Sequence, residues 1–197
     1  MILHEVFGIL AGVVSFLAYF FYIVTIPFGK TRPSRSTWWV LTLIGFMIAF
    51  SYWSLGARDT IWIALSYTLG PLIIALLSLK YGEGKWQKLD TICFSVSLAS
   101  ALVWYISNSA IIALLINIFM DFVGLLPTIQ KSYLRPSGEN RPAWTLESIA
   151  SILNILAIEN WVFSIAFYPI YLALINGIIT LFLYKPIFKT TQEKLVK

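Results

Sequence analysis

Apolar residues gather in seven runs along the chain: Phe7 to Ile26, Trp38 to Leu55, Ile61 to Leu79, Ile92 to Ile106, Ile111 to Pro127, Ala143 to Ile158, and Trp161 to Tyr184. A membrane-spanning helix needs about 20 mostly apolar residues, so the pattern predicts an all-α integral membrane protein with seven transmembrane helices. The first run is too long for the apolar stretch of a signal peptide, and His4 and Glu5 stand where a basic cluster would precede one. It is expected to remain as a spanning helix.

The polar connections between runs alternate in charge. Lys30, Arg32 and Arg35 lie in the first; Lys80, Lys85 and Lys88 in the third; Lys131, Arg135 and Arg141 in the fifth; Lys185, Lys189, Lys194 and Lys197 follow the seventh run. Of the basic residues only Arg58, beside Asp59, falls in an even connection, while the fourth holds Ser107, Asn108 and Ser109 and the sixth Glu159 and Asn160. Basic residues stay on the cytoplasmic side, which puts the N-terminus outside and the C-terminus in the cytoplasm. Composition agrees: at 59% hydrophobic and 12% charged, the 197 residues carry too little polar surface to cover a soluble globule. The net charge of +5 then follows from topology, and nucleic acid, which needs a basic face interleaved with polar contacts, is not an expected partner. The expected setting is the lipid bilayer of the cytoplasmic (inner) membrane. Cys93 is the only cysteine and sits in an apolar run, so no disulfide or thiolate metal cluster forms within the chain.

A repeat organises these runs. Pro27, Arg32-Pro33-Ser34, Arg35 and Trp38 return in the same order as Pro127, Arg135-Pro136-Ser137, Arg141 and Trp144, with three residues added before Arg135 and three more, Gly138, Glu139 and Asn140, before Arg141. Both additions fall where a polar loop is expected. Copies that start at the first and fifth runs enter the membrane in the same direction and need one odd helix between them. The layout is therefore 3+1+3: a first triple-helix bundle over residues 1–82, a linker helix over 83–108, a second bundle over 109–185 and a cytoplasmic tail over 186–197. Parallel repeats of this kind recur in transporters built around a central site.

These residues resemble the SWEET sugar transporters and the wider PQ-loop group. Phe7-Gly8 followed by Ser15-Phe16 is similar to the start of their first helix, Pro27 with Ser36-Thr37 to their proline and Lys-Ser-Thr segment, Trp53 and Gly56 to the end of their second helix, and Gly70 to Tyr81 to their third. The resemblance implies the 3+1+3 fold and transport of a small polar solute, sugar-like as the first expectation. Two family features differ. The sugar-contacting Pro-Asn pairs of the third and seventh helices are replaced by Ser66-Tyr67 and Pro169-Ile170, and of the four helix prolines only Pro27 and Pro127 fit, Pro142 merely opening the sixth helix. The tract from Asp121 to Pro136 also looks like a group of uncharacterised bacterial membrane proteins. Nicotinamide-riboside transporters of the Pnu type share the layout, and Leu174-Ile175-Asn176-Gly177 is similar to an Asn-Gly in their last helix.

Asp121 is the sharpest chemical signal. At about 1.5 Å per residue from Ser109 it lies about 18 Å along its helix, near the middle of a hydrocarbon core about 30 Å thick. A charged carboxylate there costs about 2.5–3.5 kcal/mol, and no lysine or arginine shares its depth. It is expected to face the interior and to take up a proton, a sodium ion or a donor from the solute, or, in a purely structural role, to bond a neighbouring helix as the protonated acid. Asn117 lies one turn earlier on the same face, and Asn154 and Asn176 reach similar depth as site residues or as links between helices. The repeat aligns Asn117, Asp121, Asn154 and Asn176 with Leu17, Phe21, Ile48 and Ala75. Each polar position of the second half thus has an apolar counterpart in the first.

The expected site is a polar wall of Asn117, Asp121, Asn154 and Asn176 facing an apolar wall drawn from Phe21, Tyr22 and Tyr67. Pro27 and Pro127 are candidate hinges, if their helices continue to them. Trp38, Trp39 and Trp144 read as interface anchors, the paired Arg-Pro-Ser loops as anchors of helix ends with inner-gate contacts as the lesser reading, and Gly8-x-x-x-Gly12 as a close-packing face. No catalytic inventory accompanies Asp121: His4 is at the outer edge, no nucleophile elbow, phosphate loop or metal-ligand spacing occurs, and no second deep carboxylate is expected to partner Asp121. Lys185 ends the seventh run, where a retinal Schiff base needs a lysine inside it. The chain is therefore expected to be no enzyme, with no cofactor and no metal. It reads as a transporter working by alternating access, with Asp121 coupling uptake to H+ or Na+ and an oligomer compatible with its surface. A vitamin or nucleoside carrier of the Pnu type, or a non-transporting assembly or receptor protein, are the alternatives.

Overall fold

The computed structural model describes residues 2–54, 61–83, 88–106, 110–159, 161 and 163–195. The expected turn at Leu55-Gly56, the pair Arg58 and Asp59, Lys85, Ser107 to Ser109 and Asn160 lie outside them.

The described chain is all-helical, with one helix for each apolar run. These are α1 (Ile2–Thr25), α2 (Arg35–Ser54), α3 (Ile61–Tyr81), α4 (Lys88–Ile106), α5 (Ala110–Leu134), α6 (Arg141–Leu156) and α7 (Phe163–Leu195). Among the described residues three stretches are long and apolar enough to cross a membrane: Leu3–Thr25, Lys88–Ile106 and Ala166–Lys185. Two helices overrun the C-terminal ends of their apolar runs by more than a turn. α5 passes through Pro127 to Leu134, and α7 passes Tyr184 to Leu195, where a tail was expected.

Six helices form a closed ring in the order α1, α6, α7, α5, α2, α3, and α4 packs outside it against α2 and α5. Cross-helix pairs fix their directions. α1 runs antiparallel to α6, since His4 meets Leu156, Ser15 meets Glu147 and Tyr22 meets Glu139; α6 runs antiparallel to α7, where Ser151 meets Asn176 and Thr145 meets Tyr184. α5 and α7 run parallel, with Asp121 against Tyr171 and Tyr133 against Phe182. α1 and α5 therefore point the same way. In each half the last helix sits between the other two, α3 between α1 and α2, and α7 between α5 and α6.

Glycine sets the closest approaches, though at Gly45, Gly70 and Gly124 instead of Gly8 and Gly12. A Cβ on Gly45 would lie 2.6 Å from the Tyr67 carbonyl oxygen, and one on Gly124 would collide with the Val40 side chain, so α2 meets α3 backbone to backbone, and the α5 backbone at Gly124 meets the Val40 side chain of α2. At Gly70 the missing side chain makes room for the Tyr19 ring, 2.8 Å from where a Cβ would stand. Gly8 makes only an ordinary contact with Ala157, and a Cβ on Gly12 would meet nothing within 4 Å.

The two repeat motifs start α2 and α6 alike. Trp38 N donates to Ser34 O and Trp144 N to Asn140 O, and the Asn140 side chain also accepts from Ala143 N, with Pro142 in the first helical turn where its missing N–H costs nothing. The extra residues of the second copy are structured. The first three extend α5, and Glu139 and Asn140 from the second three are buried, at 4% and 6% exposure. They follow a 3-10 turn over Pro136–Gly138.

Candidate functional site

At the centre of the ring is a cavity with about 70 Å³ of space for water-sized molecules, walled by all six ring helices. Three polar side chains line it: Asp121 from α5, Glu147 from α6 and Asn176 from α7. Five aromatic residues surround them: Tyr19, Trp38, Tyr67, Trp144 and Tyr168, with Leu41, Ile44, Leu125 and Leu172 filling the gaps. Tyr19 is placed edge-on to both Trp38 and Tyr67, with centroids 6.4 Å apart in each case, and Trp38 lies 6.5 Å from Trp144.

Each carboxyl receives one side-chain hydrogen bond among the described residues. The Tyr171 hydroxyl donates to Asp121 Oδ2 at 2.7 Å, and Ser15 donates to Glu147 Oε1 at 2.8 Å. No lysine or arginine lines the cavity among the described residues. Asn176 donates to Ser151 Oγ at 2.8 Å, tying α7 to α6 while also facing the cavity.

Next to the cavity's Trp38 and Trp144, the connections after α1, α3 and α5 are bonded into one closure. Glu139 is the hub of this closure. Its Oε1 pairs with Lys131 Nζ at 2.6 Å, and its Oε2 accepts from the Tyr22 hydroxyl at 2.8 Å and the Trp144 indole at 2.9 Å. Trp38 in turn donates its indole N–H to the Tyr22 hydroxyl at 3.3 Å. Lys131 also donates to the Arg32 carbonyl, and Arg32 N donates to Gly138 O, joining the two Arg-Pro-Ser loops directly. Glu83 adds a bond to Pro33 O through its amide and an ion pair with Arg135 at 2.8 Å. Asn140 fastens the last turn of α1, donating to Phe21 O at 3.0 Å and Thr25 Oγ1 at 2.7 Å.

Compared with family models, curated proteins and solved structures, the chain matches none. The site is therefore read from its own residues.

Of the expected site residues, Asp121, Asn176 and Tyr67 share the cavity. Asn154 does not line it; it sits on α6 two turns beyond Glu147. Asn117 does not line it either, and its Oδ1 is buried with no hydrogen-bond partner among the described residues. Phe21 faces outward at 43% exposure, because α1 buries the stripe Ala11, Ser15, Ala18 and Tyr22, whose spacing of three and four leaves Phe21 off the inner face. Tyr22 and Tyr19 take the inward positions instead. Asn176 meets Ser151 as Thr68 meets Gly45, the motif counterpart of Ser151.

The prolines do not form an equivalent pair. Pro27 is exposed in the turn after α1, which ends at Thr25, where the Thr25 hydroxyl donates back to the Phe21 and Tyr22 carbonyls and Gly29 follows at φ +67°. Pro127 is buried inside α5. Of these two, only Pro127 lies inside a helix that it can kink. Trp38 and Trp144, expected as interface anchors, are buried at 3% and 5% and form the floor of the cavity.

The sequence reading missed Glu147. It lies about two turns inside α6, which begins at Arg141, and shares the cavity with Asp121, where no second deep carboxylate was expected. The repeat contained the signal: three residues after Trp144 stands Glu147, three after Trp38 stands Leu41, and both line the cavity. Glu147 breaks the symmetry of the halves as Asp121 does.

Proposed function

We propose that the chain is a seven-span transporter of the cytoplasmic membrane, SWEET-like or PQ-loop-like in fold. In this reading α1 to α3 and α5 to α7 are parallel repeats joined by α4, with the N-terminus outside and the basic connections in the cytoplasm. A small polar solute binds in the central cavity, and alternating access moves it between the two sides. What carries the reading is that cavity: two carboxyls and an amide at the centre of a helical ring whose outside is apolar. Leu10, Phe20, Leu76, Leu102, Phe119 and Leu181 are among many large side chains that are exposed on that outside, on a scale that water does not favour and lipid does.

The closure of Glu139, Lys131, Tyr22, Trp38 and Trp144 supports an inner gate. It joins the first half to the second beneath the cavity, so access from the cytoplasm requires it to break. Asp121 is the coupling residue in this proposal, taking up a proton, or a sodium ion, with the solute or against it.

Uptake into proteoliposomes, measured for sugars, nucleosides, amino acids and amines with and without an imposed pH gradient, tests the function. Movement of no solute at all would overturn it. Asp121→Asn should abolish gradient-driven uptake and spare counterflow, and an unchanged gradient dependence would remove Asp121 from coupling.

A further inference from the structure

Resting on that transport reading, the site's own chemistry points to a narrower solute class. We propose that the solute is a small organic cation bearing an ammonium group, held between the carboxyls of Asp121 and Glu147 and the aromatic rings of Tyr19, Trp38, Tyr67, Trp144 and Tyr168.

The first support is charge balance. Two carboxyls from different helices line one cavity, and no basic side chain lines it among the described residues. The buried cation of the closure, Lys131, is already paired with Glu139 at 2.6 Å and Glu83 at 3.7 Å. A buried carboxylate is stable only when a proton or a cation neutralises it. The second support is unfilled acceptor capacity. An ionised carboxylate offers about four acceptor sites, yet Asp121, 4% exposed, receives one side-chain donor among the described residues, as does Glu147. An ammonium group supplies the missing donors together with the missing charge. The third is the ring lining. Aromatic faces attract ammonium groups through their quadrupoles, and a cage of them beside a carboxylate is the arrangement that recognises alkylammonium ligands. A neutral sugar would leave both charges to protons and use the rings only as apolar surface.

The cation and protons then compete for the same groups. The titratable groups lining the cavity are the two carboxyls and the phenols of Tyr19, Tyr67 and Tyr168; Tyr171 touches Asp121, α2 contributes none, and α4 does not reach the cavity among the described residues. Phenols carry no charge near neutral pH. The carboxyls alone decide the charge of the site, so inward movement of the cation is tied to outward movement of protons, or the reverse.

Choline, phenethylammonium, glucose and uridine, each radiolabelled, serve as probes on the purified full chain in proteoliposomes, with quenching of Trp38 and Trp144 fluorescence as a binding readout independent of transport. Choline or phenethylammonium should bind and move, with affinity falling by up to about tenfold per pH unit of acidification where a proton competes. Glu147→Gln keeps an acceptor for Ser15 and should weaken cation binding about tenfold or more, the worth of a charge-assisted bond. A thermal unfolding curve like that of the unaltered protein confirms that the variant is folded. Phe21→Ala serves as a second variant, since Phe21 faces outward at 43% exposure, away from both carboxyls, and its loss should leave cation binding as it is. Uptake of glucose or uridine with no binding of either cation would overturn this inference and leave the transporter intact. Cation binding unchanged in folded Glu147→Gln and Asp121→Asn would overturn it as well. If nothing binds and nothing moves, the transport reading itself falls.

Discussion

Replacing Glu139 by glutamine probes whether the closure beneath the cavity acts as one unit. The Glu139 side chain is 0% exposed and its two oxygens hold Lys131, Tyr22 and Trp144, while Lys131 is only 3% exposed. Removing one member of a buried ion pair strands the other, which costs about 3–5 kcal/mol. Glu83, 3.7 Å from Lys131, recovers part of this, so Glu139→Gln should lose about 3 kcal/mol, the lower end of that range. Lys131→Met should lose less, about 2 kcal/mol, because Glu139 keeps the donors of Tyr22 and Trp144. In the double variant neither charge is stranded and the glutamine carbonyl still accepts. The two single losses should therefore exceed the double loss by a coupling of about 1–3 kcal/mol. Equilibrium unfolding in mixed micelles, followed by tryptophan fluorescence, measures all four proteins. Additivity within about 0.5 kcal/mol would refute the coupled closure.

Three further outcomes follow from the packing. Asn140→Ala loses the cap of α6 and both bonds to the end of α1, so the same unfolding assay should show a loss of about 1–2 kcal/mol, whereas Phe21→Ala on the outer face should stay within about 0.5 kcal/mol. Gly124→Ala should cost about 1–3 kcal/mol by overpacking, and adding Val40→Ala should return part of it, because the new methyl meets the Val40 side chain; a further loss in the double variant would contradict that contact. With Cys93 replaced by serine, a cysteine at Arg135, whose side chain is 60% exposed, should react with an impermeant maleimide in inside-out vesicles and not in right-side-out cells. Native Cys93, 1% exposed, should react in neither.

The sequence by itself determined the all-helical class, the number of helices and which connections carry the basic residues. Each of these follows from local composition: a run of apolar residues long enough to form a helix, and charges confined to every second connection. It also exposed Asp121, because a lone carboxyl in an apolar run stands out wherever the helix is turned. Rotation about each helix axis was beyond it. In helices apolar on every side the inward and outward faces carry similar residues, so Phe21 and Tyr22 could be told apart only once α1 was seen to bury Ala11, Ser15, Ala18 and Tyr22. Depth was equally hidden at Glu147, since a polar helix start and a carboxyl two turns inside a bundle read alike until α6 is placed. The partners of Glu139 lie on three other segments, at Lys131, Tyr22 and Trp144. Only the closing of the ring brings them together, because burial inside the assembled helices removes the water that would otherwise satisfy each group separately.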